Sequence, residues 1–483
     1  MAVIQFIKLF VISSSRQLIR AVIYFLTGGL VVLVIFTVLY LNNRPDLKVW
    51  HTAILDEEFT VNSNIKNFSE YLALEKRLFK QLEKRVYSKI SIKDKTQLNR
   101  FNHASIADPQ QWPFNWNQSF ELSVSKPKIG VLLIHGMSDS PYSLHRIGQQ
   151  LQSDGAWVTG LRIPGHGTAP AGLVDVSWQD MAAAVKLAVK HLRQQIGDKP
   201  LYIIGYSNGG ALALNYTLNS LQDDALPKVQ GLVLISPEIG ITKLAMLAIW
   251  QERLGHLLGL EKLQWNSILP EYDSFKYNSF SINAGNQAYE LTEVNQQLIT
   301  KLDKSGALKR IPRILAFQSV VDATVITQDL VDKLFDRLPP SNHELVMFDI
   351  NRLSNIEPIL IHNPTEWINS ILLRKKHDYK INLITNKNKN SKQVVARMYQ
   401  PGKSEIVDCP IKSEWPNNLY SLSHLALAIP RDDPLYGGIK NTKKRVLNLG
   451  QITLRGERGV LRIRAADILR LRWNPFYNYL ELR

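Results

Sequence analysis

The sequence predicts an α/β protein: a mostly parallel, doubly wound sheet with a helical insertion, preceded by one helix of membrane-spanning length. Three observations predict it. From residue 129 onward short apolar runs alternate with helically spaced ones, as strands do when helices cover both faces of their sheet. Gly205-Tyr206-Ser207-Asn208-Gly209 stands at the junction of one such run and a helical stretch. Ala21 to Leu41 runs for 21 residues without a charge.

The N-terminal elements come first. A 21-residue apolar helix is roughly 30 Å long, the thickness of a bilayer's hydrocarbon core. Tyr24 and Tyr40 lie near its ends, where amphipathic rings favour the interface. Residues 1–20 carry Lys8, Arg16 and Arg20 and no acid, which favours a cytoplasmic N-terminus and an extracytoplasmic remainder, anchored in the cell (inner) membrane. The apolar stretch at 21–41 is longer than the core of a signal peptide and lacks a small-residue cleavage site. Residues 42–124 read as a juxtamembrane helical and irregular segment. Within it Phe68, Leu72, Leu78, Phe79, Leu82 and Val86 recur at helical spacing, predicting an amphipathic helix that packs on the main domain or lies near the membrane.

The main domain is expected over 125–483. Strands are predicted at 129–134, 156–163, 201–204, 229–235, 313–317 and 344–350, with helices at 178–194, 209–221 and 328–338. An insertion at about 240–305, with Leu244, Met246, Leu247, Ile249, Trp250, Leu257, Leu258 and Leu260, is too long for a plain crossover and suits either a cap or helix-to-core packing. A basic hairpin is expected at about 376–403, its arms at 380–385 and 393–398.

Composition narrows the function. Apolar residues make 45% and charged residues 21%, which excludes a disordered chain. The single cysteine, Cys409, excludes an intramolecular disulfide. Nearly all of the net charge of +16 lies in 374–403 and 431–483, which carry +8 and +7. Such stretches suit anionic lipid headgroups or plain solubility. No nucleic-acid fold motif accompanies them, and no nucleic-acid partner is expected.

The chemistry sits in a few motifs. A serine on a sharp strand-to-helix turn exposes its hydroxyl over the sheet end, and flanking glycines leave room for the strained backbone. The helix beyond it aims N–H groups and positive dipole at a developing oxyanion. Upstream, VLLIHGMSDSPYSL (131–144) ends a strand in His135-Gly136, so the amide of Met137 can pair with that of Asn208 as oxyanion donors. LRIPGHGTAP (161–170) follows another strand, and His166 suits a hydrogen bond to loop backbone. No H-E-x-x-H or comparable cluster is present, so neither metal nor cofactor is expected.

LIHG, PGHG and GYSNGG in this order resemble the α/β-hydrolase superfamily, in the branch of monoacylglycerol lipases, lysophospholipases and carboxylesterases. The resemblance covers about 125–350 and resumes at SLSHLALAIPRDDPLYG, 421–437. It implies an α/β-hydrolase fold and a serine esterase or lipase acting through an acyl-enzyme on Ser207. It further implies an acid at Asp322 in FQSVVDATV, with Glu238 in reserve, and a base at His424, with His362 (ILIHNP) in reserve. The substrate would be a small-molecule or lipid ester. Acyltransferases and peptidases use the same scaffold, as would a non-catalytic anchored homologue that binds a ligand or partner.

Overall fold

The computed structural model describes residues 2–240, 259–361, 363–372, 377–401, 406–439, 447–452 and 464–483. Its centre is a ten-stranded sheet in the order β1-β3-β2-β4-β5-β8-β9-β10-β11-β12. The strands are β1 (Phe120–Leu122), β2 (Ile129–Ile134), β3 (Ala156–Leu161), β4 (Leu201–Tyr206), β5 (Gly231–Ile235), β8 (Arg313–Ser319), β9 (Glu344–Phe348), β10 (Lys380–Asn386), β11 (Gln393–Tyr399) and β12 (Ile406–Glu414). From β3 to β10 every neighbouring pair is parallel; β1, β11 and β12 add antiparallel edges. The predicted hairpin is therefore not a free appendage: β10 lies parallel to β9, and β11 and β12 widen the sheet. A separate pair, β6 (Trp265–Ser267) with β7 (Phe280–Ser281), lies within the insertion.

The parallel strands are almost wholly buried because helices cover both faces. The helices used below are α1 (Ala2–Asn43), α2 (Phe68–Arg85), α3 (Tyr142–Ser153), α4 (Trp178–Ile196), α5 (Asn208–Ser220) and α6 (Ile282–Lys304). One core joins α4, α5 and α6 to the face carrying Leu132, Ile203, Leu232 and Ile314; a second joins α3 and the C-terminal segment to the face carrying Val131, Ile204 and Phe317. Of the expected insertion, residues 241–258, including Leu244 to Leu258, lie outside the described residues. Its second half is α6, which packs by Ala284, Ala288, Leu291 and Ile299 into the first core. That half is core packing.

α1 is long, with Ile19–Asn43 apolar enough to cross a membrane (mean hydropathy 2.6) and its side chains turned away from the protein. Its end is fastened to the body. Lys262 Nζ donates to the carbonyls of Leu41 and Arg44 at 3.4 and 3.2 Å and pairs with Asp46 at 2.9 Å, while Arg44 donates to the carbonyl of Asn266. A cation at a helix C-terminus answers its unpaired carbonyls and dipole.

α2, capped by Asn67, packs through Phe68, Tyr71 and Leu74 on the first core. The link is also electrostatic. Arg162, 1% exposed, donates through Nε to Glu75 at 3.0 Å, forks onto both oxygens of Glu58, and reaches the carbonyl of His166 at 2.9 Å. Arg162→Ala leaves two carboxylates without their cation. It should lower the unfolding free energy by about 3–5 kcal/mol, read by urea denaturation; an unchanged midpoint would remove this network from the forces joining α2 to the sheet.

Candidate functional site

Strand order reverses about β2: the chain passes from β2 out to β3 and returns to β4 on the other side. In open α/β sheets ligands bind beyond the carboxyl ends of strands at such a point. Ser207 follows β4 there, with φ 55° and ψ −120°, a conformation a side-chain-bearing residue adopts only when its surroundings hold it. They do. The Ser207 amide donates to the carbonyl of Ile235, and its own carbonyl accepts from Glu238 and Gly210. Gly209 lies so close to β2 that a Cβ there would come within 2.1 Å of the carbonyl oxygen of Ile134. A Cβ on Gly205 would lie 2.4 Å from the carbonyl oxygen of Gly209. Both glycines are therefore steric requirements.

The structure brings Ser207, His424 and Asp322 together. His424 Nδ1 lies 2.8 Å from Asp322 Oδ2, and Nε2 lies 3.0 Å from Ser207 Oγ. A carboxylate only accepts, so Nδ1 carries the proton, and Nε2 of the neutral ring is left to accept from the serine. Asp322 Oδ1 accepts from the amides of Thr324 and Val325, and Oδ2 also from Gln318. Burial alone would raise the Asp322 carboxyl, but His424 and these amides outweigh it and hold it below the usual range. All three side chains are buried or nearly so.

His424 begins a single helical turn that three contacts hold in place. Ser319 donates to the carbonyl of Leu422 at 2.8 Å, Tyr206 to that of His424 at 3.3 Å, and Ser423 to that of Leu471. Tyr206, the residue before Ser207, thus also steadies the histidine loop, a role its position in the motif does not signal. The reserve histidine, His362, lies outside the described residues.

The other reserve residue is close to Ser207. Glu238 Oε1 lies 3.3 Å from Ser207 Oγ. Glu238 makes no hydrogen bond to His424 among the described residues, whose Nδ1 meets Asp322 instead. Burial pushes its carboxyl up to about 7, with the charge of Asp322 adding to the rise and that of Lys276 opposing it. Lys276 itself carried no sequence signal. Its neighbour Tyr277 donates its amide to the carbonyl of Ser138, beside Met137. The amides of Met137 and Asn208 donate to nothing among the described residues. His135 and His166 bond loop backbone at Gly136, Ile163 and Pro164. No three His, Cys, Asp or Glu side chains among the described residues are grouped to hold a metal ion.

A parallel sheet in this order, with a strained serine after its central strand, defines an α/β-hydrolase fold. Residues 125–339 match the family described as serine aminopeptidase, S33. The chain is similar to the thermostable monoacylglycerol lipase of Bacillus sp. (strain H-257), 27% identical over 117 residues, which are 24% of this chain and 44% of that protein. The match thus spans less than half of the relative's length. Among solved structures, one reported for LipS and LipT, two metagenome-derived lipolytic enzymes, is 19% identical with a TM-score of 0.38, covering 53% of this chain and 98% of the other. The monoacylglycerol lipase of Paleococcus ferrophilus is 17% identical with a TM-score of 0.36, covering 48% and 88%. The chain has an α/β-hydrolase fold, and over 125–339 it is similar to that serine aminopeptidase, S33, family.

The buried Glu238 carboxyl gives one expected pH dependence. Its folded pKa lies above its unfolded value, so the native state holds this proton more tightly and stability falls as pH rises from about 4.5 towards about 7. Glu238→Gln should therefore raise Tm more at pH 8 than at pH 5, as a calorimetric pair would read. Equal shifts at both values would mean that Glu238 does not titrate between them.

Proposed function

We propose that this protein is a membrane-anchored serine hydrolase of carboxylic esters, acting through an acyl-enzyme on Ser207. One observation carries the reading: the unbroken chain from Ser207 Oγ through His424 to Asp322, 3.0 and 2.8 Å long. His424 takes the serine proton as Oγ attacks the acyl carbonyl and returns it to the leaving alcohol; Asp322 fixes the tautomer and stabilises the imidazolium. The unengaged amides of Met137 and Asn208 suit an oxyanion at the N-terminus of α5. Water then enters along the same path and releases the acid.

Lipid and acyl-glycerol esters are the substrate class we favour. The resemblance to monoacylglycerol lipase supports it, as does an apolar helix that would keep the enzyme at a bilayer. In this reading the N-terminus is cytoplasmic and the catalytic domain, 125–483, extracytoplasmic. The matched family's description names an aminopeptidase, so amide substrates form the second reading.

A fluorophosphonate should label the wild-type chain and fail on Ser207→Ala at unchanged far-UV circular dichroism; labelling that persists would move the nucleophile elsewhere. Asp322→Asn should keep the fold and lower kcat by roughly 10⁴ on a nitrophenyl ester. Nitrophenyl esters of graded length beside aminoacyl anilides separate the esterase from the peptidase, and turnover of neither by folded protein would favour a binding role.

A further inference from the structure

The buried polar atoms around Ser207 exceed what the mechanism uses. Glu238 is 7% exposed and spends one oxygen on Ser207; the other, Oε2, is out of water and has no hydrogen-bond partner among the described residues. Ser236 Oγ and Asn208 Oδ1, on the same two turns of chain, are also buried and unpartnered. A buried polar group left without a partner destabilises the fold, and more so when charged. A floor that met only hydrocarbon would carry an apolar side chain at 238.

The reaction geometry says which part of the substrate meets this carboxyl; here the argument rests on Ser207 as nucleophile. In the tetrahedral intermediate the reacting carbon bears four groups. One is Ser207 Oγ, and the oxyanion turns to the amides of Met137 and Asn208. The leaving oxygen must lie by His424 Nε2 to receive its proton. The acyl substituent takes the remaining side, and Glu238 approaches Oγ without touching His424. We propose that Glu238 forms a polar subsite beside Ser207 that receives a hydroxyl group carried by the acyl part of the substrate close to the scissile carbonyl.

A hydroxyl suits this place better than an ammonium. Burial favours the protonated Glu238 carboxyl, which offers an ammonium no ion pair. A hydroxyl can donate to the ionised carboxylate or accept from the protonated acid, and so is held in either state. Sites built to bond a substrate hydroxyl discriminate strongly against the analogue lacking it, because their own polar atoms are then left unpaired.

The test uses the full-length chain in detergent with three nitrophenyl esters: octanoate, β-hydroxyoctanoate and β-aminooctanoate. Wild type should favour the hydroxy ester over octanoate by roughly tenfold or more in kcat/KM. Glu238→Leu should lose that preference or reverse it while Ser207 still takes the fluorophosphonate, and Glu238→Gln, which keeps the hydrogen-bonding shape, should retain part of it. An equal hydroxy-to-plain ratio in wild type and Glu238→Leu overturns the subsite, as does a preference for the amino ester. Loss of both labelling and turnover in the wild type would instead sink the hydrolase reading on which the subsite rests.

Discussion

Everything at the site depends on one backbone conformation, the positive φ of Ser207. A serine stays there only because no neighbour has a side chain in the way. Gly205 and Gly209 let the turn close on itself and press against the end of β2. The same closeness sets the segment after β2 beside the serine, where a Cβ on Gly136 would come within 3.0 Å of the Ser207 Cβ and the amide of Met137 is left unengaged. A larger residue at 205 or 209 would disturb Ser207 and its surroundings together.

The histidine reaches this turn from far away in sequence. After β9 the chain builds three more strands before it returns, 217 residues beyond the serine. A long connection of that kind adds little extra closure entropy, because the cost grows only with the logarithm of its length. Precision at the end of it is a separate matter. It comes from donors on rigid elements, Tyr206 at the end of β4 and Ser319 at the end of β8, which hold the loop's carbonyls. The site is assembled by strand ends, and the loop that brings His424 is shaped to them.

Much of this was legible in the residues. Strands β2, β3, β4, β5, β8 and β9 are covered on both faces, so they read as continuous apolar runs, and their boundaries differ by only a few residues. β12 was not legible: it is an exposed edge, Ile406–Glu414, with charges and Pro410 in its run, all of which weaken a strand pattern. β1 is three residues long and carries too little pattern to read. The serine turn announces itself through its glycines. The choice between His362 and His424 does not, since local sequence cannot tell which loop the sheet's extra strands deliver to Ser207. Glu238 could be suspected from its place after β5. The nearness of Lys276 could not, because it depends on Tyr277 folding back onto Ser138.

The lysine beneath α1 makes that helix something other than a leash. Lys262 grips the last carbonyls of the helix and the aspartate just past it, and Arg44 reaches back to Asn266. These contacts fix the end of the apolar rod against the globular body. A lipid layer holding the rod would thereby also choose which side of the body looks down on it, and would confine the protein's reach to what diffuses past in its own leaflet.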